Sequence, residues 1–112
     1  MEQLREAVGG DSEFVAEMIQ AYLVDSKTQM AAMTEAVADG DAPTLARAAH
    51  SLKSNSTIFG ATALTDLCRR VEAAALAGDP VVGAAELPAL ERERGGVARA
   101  LERKLASERK GE

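Results

Sequence analysis

A chain of 112 residues with 46% hydrophobic side chains has the size and apolar content of one domain, read as spanning residues 1–112. Aromatic residues make up only 3%, with no tryptophan, while alanine, leucine, glutamate and arginine dominate, a balance that favours an all-α fold over a sheet. The net charge is −5 with acidic and basic residues interleaved, which leaves no footprint for nucleic acid, and no apolar run is long enough to span a bilayer.

The opening MEQLRE lacks the basic and apolar segments of a secretory leader, so the chain reads as soluble and cytoplasmic. Residues 2–8 can form two helical turns with Leu4, Ala7 and Val8 on one side, stopped by Gly9 and Gly10. Asp11 is a good N-cap for a long helix running to about Asp39, with Glu13 in its first turn. Its core stripe is Phe14, Val15, Met18, Ile19, Tyr22, Leu23, Ser26, Met30, Met33 and Val37, at helical spacing with one polar interruption. The methionines fit core filling better than a ligand role.

Gly40 closes that helix and Asp41 caps the next, with Pro43 tolerated in its first turn. The turn is short, so these two helices are expected to be antiparallel neighbours. The second runs to about Phe59, where Gly60 fits the position just past the end. Leu45, Ala48, Ala49, Leu52, Ser56 and Phe59 recur at intervals of three and four and form its core face. At roughly 100° per residue, His50 projects about 140° from the centre of that stripe and faces water with Lys53, Ser54 and Thr57.

Thr62 begins another helix, with Leu64, Leu67, Cys68, Val71 and Ala75 inward, Asp66, Arg69 and Arg70 outward, and Glu72 on the flank. Cys68 is the only cysteine, which excludes an internal disulfide, and its place in the stripe makes it a small buried hydrophobe. Gly78, Asp79 and Pro80 end this helix, and a looser connection reaches about Ala85. Because Pro88 fits a first turn and breaks a helix interior, the last helix is expected to start near Glu86 or Leu87. Leu87, Leu90, Val97, Leu101 and Leu105 mark its packed side, and the ERER and ERK clusters read as a solvated face.

His50 is the only histidine, so the inward-facing Glu-x-x-His pairs of a bundle metal site cannot be assembled, and no glycine-rich phosphate loop is present. No metal or nucleotide cofactor is expected. A neutral imidazole on a polar face can instead be a nucleophile that takes a phosphoryl group on a ring nitrogen, with a lysine one turn later to neutralise the added charge. An exposed His followed by a Lys is by itself also an ordinary surface feature.

The string His50, Leu52, Lys53, Ser56, Gly60 and Ala61, continued by Leu64, Leu67, Cys68 and Glu72, resembles the histidine-containing phosphotransfer (HPt) domains of bacterial two-component phosphorelays. The family pattern reads approximately H-x-L-K-G-x-[SA]-x-x-x-G-A, then L-x-x-L-C with an acidic or amide residue four positions on. The resemblance is good from about Gly9 to Gly78 and weak beyond. It implies an antiparallel four-helix bundle with a short additional N-terminal helix. It also implies His50 as phosphoacceptor, Lys53 as the residue that steadies the phosphoryl group, and Glu72 as a side chain near the imidazole. One position departs from the pattern: Ser54 stands where the family usually has glycine, one turn from His50 on the same face.

By this resemblance the chain shuttles phosphate between aspartates of response-regulator receiver domains, fed by a hybrid sensor histidine kinase. Mg²⁺ is expected on the receiver, and the chain has no kinase activity of its own. Helix phase puts Arg47, Ser51 and Ser54 on the docking face, with Ser54 and Thr57 in support of the phosphoryl group. No second histidine or base accompanies His50 on that face, so the phosphorylated ring is expected to persist until it is passed on. A monomer is the default, since one bundle core accounts for the apolar stripes. The competing reading is a non-catalytic receiver-binding adaptor with the same fold, for which Ser54 is the sequence support.

Overall fold

The computed structural model describes residues 12–110, with side-chain surroundings for residues 13–107. It contains α1 (Ser12–Asp39), α2 (Ala42–Thr57), α3 (Thr62–Leu76) and α4 (Pro80–Lys110). Each helix packs on the next, and α4 returns to α1, which closes an up-down-up-down bundle measuring 48 × 20 × 18 Å. The short helix expected over residues 2–8 lies outside the described residues.

Three turns join the helices, and they are built alike. Gly60 has φ +68°, a region that costs a residue with a Cβ roughly 1–2 kcal/mol. In that conformation its N–H reaches the Thr57 carbonyl while the Ala61 N–H reaches back to Ser56, so the last carbonyls of α2 are satisfied in the Schellman pattern. Gly40 and Gly78 close α1 and α3 with the same pair of bonds. Asp41 then starts α2: its carboxylate accepts from the Thr44 amide at 3.1 Å and the Thr44 hydroxyl at 2.6 Å, which holds it below the usual carboxylate range.

The core takes the residues that the periodicity selects. On α2 it takes Leu45, Ala48, Ala49, Leu52 and Ser56, followed by Phe59 in the turn; on α3 it takes Leu64, Leu67, Cys68, Val71 and Ala75. On α1, Val15, Ile19, Tyr22, Met30 and Met33 are buried, whereas Phe14 is exposed near the start of the helix. Ser26, the polar interruption, is fully buried and bonds back to the Leu23 carbonyl at 3.4 Å. The Tyr22 hydroxyl meets the Ser56 hydroxyl at 2.7 Å, and its ring lies 4.8 Å from that of Phe59, so α1 is pinned to the C-terminal half of α2.

Two expectations for the last helix are corrected. It begins at Pro80 rather than near Glu86, and Pro88 lies inside it. Asp79 is the reason: its carboxylate accepts from the Val82 N–H and its carbonyl from the Gly83 N–H, while Pro80 occupies a first-turn position that needs no N–H. A Cβ on Gly83 would come within 3.2 Å of the Leu45 side chain, so this early segment packs closely on the bundle. Packing there offsets the one backbone bond that Pro88, exposed on the outer side, withholds from Ala84. The ERER cluster is also not wholly solvated. Arg94 is buried, with its guanidinium forked onto Glu91 by two bonds of 2.7 Å.

Around Gly78 nothing lies within 4 Å of an added Cβ, so substitution tests the backbone conformation alone. Gly78→Ala is expected to destabilise the fold by about 1 kcal/mol, a fall of roughly 4–8 °C in thermal melting. An unchanged melting temperature would contradict the left-handed turn.

Candidate functional site

His50 lies midway along α2, and its imidazole is 60% exposed on the face opposite the core stripe. Three of the core residues around it on α2, Ala46, Ala48 and Ala49, are small, and α3 packs across this helix. That packing brings one side chain from α3 to the ring. Glu72 places Oε2 at 2.8 Å from His50 Nδ1 and Oε1 at 2.5 Å from Lys53 Nζ.

One carboxylate therefore bridges two groups a helical turn apart on the facing helix. The Lys53 hydrogen bond, opposed by burial and reinforced by the His50 bond, holds Glu72 below the usual carboxylate range. An ionised carboxylate has no proton to donate, so the proton in the His50–Glu72 bond sits on Nδ1. In the neutral ring the free lone pair is then on Nε2. The site presents a nucleophilic nitrogen whose tautomer is set from behind by a carboxylate, beside a lysine.

The other candidate residues fall into place to different degrees. Lys53, expected on the open polar face, is half-buried because Glu72 draws it toward α3. Ser54 is exposed one turn from His50 and forms the rim of an open groove of about 390 Å³ between α1 and α2, walled by Met18, Tyr22, Ile58 and Phe59 with Asp25 and Asn55 at its polar edge. Arg47 is exposed and donates to Thr44 at 3.2 Å, and Ser51 is half-buried beside His50. Thr57 is not brought to the ring. It lies two turns along the helix, roughly 10 Å away, and its hydroxyl donates to the Lys53 carbonyl at 2.9 Å.

Asp25 is the residue that sequence reasoning missed. It accepts from Asn55 at 2.5 Å and from Gln29 at 3.3 Å, fixing the polar edge of the groove, and only the α1–α2 pairing reveals it. The residues of α2 give His50 no base on its own face, and the resemblance puts Glu72 near the imidazole. Glu72 supplies one from the neighbouring helix, bound to Nδ1 and so turned away from Nε2. Cys68 is inert: burial pushes its thiol up to about 12, with Lys53 pulling weakly the other way. Among the described residues no cluster of three or more His, Cys, Asp or Glu could hold a metal ion, and no helix is long and apolar enough to cross a membrane.

Glu72 titrates lower in the folded chain than in the unfolded one, so its pairing stabilises the fold above the unfolded value of about 4.5 and loses that effect as pH falls through the folded value. Lys53→Ala is expected to cost about 1 kcal/mol near neutral pH, a figure reduced for the partial exposure of the pair. In acid solution the native and variant melting curves should converge. A gap that is the same at every pH would show that the ion pair does not contribute.

The family model for the Hpt domain matches residues 17–106. A comparison with curated protein sequences gave no match. Among solved structures, the histidine-containing phosphotransfer protein B (HptB) of Pseudomonas aeruginosa PAO1 superposes with a TM-score of 0.88 at 24% identity, covering 95% of this chain and 92% of that one. At that identity the likeness establishes the shared all-α bundle. The family assignment comes from the model match, which continues into α4, where the motif reading is weak, and by it the chain belongs to the Hpt domain family of two-component phosphorelays.

Proposed function

We propose that His50 is the phosphoacceptor of this Hpt domain, receiving a phosphoryl group from an aspartate of one response-regulator receiver and passing it to another. The observation that carries the reading is the Glu72 bond to Nδ1, which leaves Nε2 as the free nucleophile on an exposed ring. Nε2 attacks phosphorus in line, the N–P bond forms as the P–O bond to the aspartyl carboxylate breaks, and the receiver regains its carboxylate. Onward transfer is the reverse, onto a second receiver's aspartate.

Lys53 is placed to follow the charge. In the resting site its ammonium is held by Glu72, one turn from His50, and a rotation of its flexible stem carries it to the phosphoryl oxygens. Mg²⁺ belongs to the receiver in this scheme, and the chain adds no cofactor. Receivers dock over His50, with the groove between α1 and α2 taking apolar side chains and Ser54, Arg47 and Ser51 at the contact. A hybrid sensor kinase lies upstream. The chain acts as one domain over residues 1–112, as a cytoplasmic monomer.

Transfer from a panel of phosphorylated receivers, read by intact mass under non-acidic conditions, tests the proposal. The native chain gains one phosphoryl group and His50→Gln gains none. Lys53→Ala slows transfer by roughly a hundred-fold, the lower end of the range for loss of one positioned donor, since this lysine is partly exposed. No label on the native chain despite measurable receiver binding would favour the adaptor reading, and Ser54→Gly would then show whether the rim serine is the block.

A further inference from the structure

The bond between Glu72 and Nδ1 has a second consequence, which rests on the reading of His50 as phosphoacceptor. We infer that Glu72 keeps the Nδ1 proton on the ring after His50 is phosphorylated, so that the phosphorylated imidazole stays an imidazolium and is a fast phosphoryl donor instead of a stable store.

When Nε2 bonds to phosphorus it commits the ring's one available lone pair, and the ring, still carrying its Nδ1 proton, becomes cationic. Two fates follow. If the proton stays, onward transfer breaks the N–P bond, the electron pair returns to Nε2, and neutral imidazole leaves. If the proton is lost, the same step must expel an imidazolate anion, a far poorer leaving group. The protonation state of Nδ1 therefore sets how readily the phosphoryl group moves on.

Glu72 is the group that touches Nδ1, at 2.8 Å, and it carries a full negative charge. A carboxylate this close favours the cationic ring, whereas an amide would accept the same hydrogen bond without the charge. Lys53 completes the arrangement. In the resting site it shares Glu72, and once a doubly charged phosphoryl group is present it has a stronger partner on Nε2, which leaves Glu72 to the imidazolium. Two charge pairs are then made from one, with no charged group left without a counterion.

One or more charged side chains on each surrounding helix are held by partners other than the ring. On α2, Arg47 is held by Thr44; on α3, Arg69 pairs with Asp66; on α1, Asp25 is held by Asn55 and Gln29; on α4, Glu86 pairs with Arg70. Glu72 and Lys53 are the charges joined to the ring by the bonds described above.

The test uses the full chain phosphorylated chemically with phosphoramidate, in which the donor's P–N bond breaks as the bond to Nε2 forms and ammonia leaves. With ¹⁵N-labelled histidine, ring protonation of the phosphorylated protein is followed by NMR from neutral to alkaline pH. In Glu72→Gln the phosphorylated ring should release its Nδ1 proton at a pH at least about one unit lower than in the native chain. Transfer to a receiver should fall about ten-fold between the two midpoints and match the native rate in more acidic solution, where both rings are protonated. A loss of rate that is the same at every pH, which is what a merely structural role produces, or coincident titration curves would overturn the inference. Lys53→Met gives an independent arm, since relieving Glu72 and the ring of a neighbouring cation should move the proton release to higher pH, and no movement or the opposite sign would count against it. If no receiver delivers phosphate to the native chain, the phosphotransfer reading fails, while the ring titration of the chemically phosphorylated protein still decides the role of Glu72.

Discussion

The arrangement depends on one contact between two helices, the carboxylate of Glu72 on α3 reaching both His50 and Lys53 on α2. Everything that fixes the axial position of α3 against α2 fixes this contact. The Schellman turn at Gly60 reverses the chain in a few residues, and the buried stripes Leu45, Ala48, Ala49, Leu52 on one helix and Leu64, Leu67, Cys68, Val71 on the other set the register. A shift of one helical turn, about 5.4 Å, would take Glu72 away from the ring altogether. The core thus specifies the chemistry of a surface site.

That site combines an exposed nucleophile with a supporting shell that is half withdrawn from solvent. The imidazole is open to a partner, while Glu72 and Lys53 lie against the bundle, where their ion pair is screened less than a surface pair. On the other flank, the Tyr22–Ser56 bond and the Tyr22–Phe59 contact hold α1 beside α2 and shape the groove that adjoins Ser54. The apolar groove and the free imidazole nitrogen thus lie near one another on α2, with the α2–α3 turn closing one end of the groove.

Much of this was legible in the residues. The three- and four-residue spacing of Leu45 to Phe59 put His50 in solvent because a helix face is a matter of arithmetic, and the glycines at 40, 60 and 78 mark helix ends because few other residues tolerate their dihedrals. The start of the last helix departs from the sequence expectation for a local reason. Pro88 reads as a breaker, whereas Asp79 and Pro80 form a complete helix start eight residues before it and the packing of Gly83 sustains it. Arg94 falls on the same ridge as Leu90 and Leu101, so spacing alone places it inward, and its charge is accommodated there by pairing with Glu91. Glu72 could be placed on a flank from its own helix, but its bridging of His50 and Lys53 is a property of two helices in register. Asp25 was invisible for the same reason, since its partner Asn55 is thirty residues away.

The most direct measurement is the identity of the phosphorylated ring nitrogen, read from phosphorus–nitrogen coupling by NMR in the chain labelled with ¹⁵N-histidine and phosphorylated by a receiver. Coupling to Nε2 of His50, with the proton on Nδ1, is the predicted result, because Glu72 occupies the other nitrogen. Phosphate on Nδ1, or on any other residue, would contradict the account at its centre.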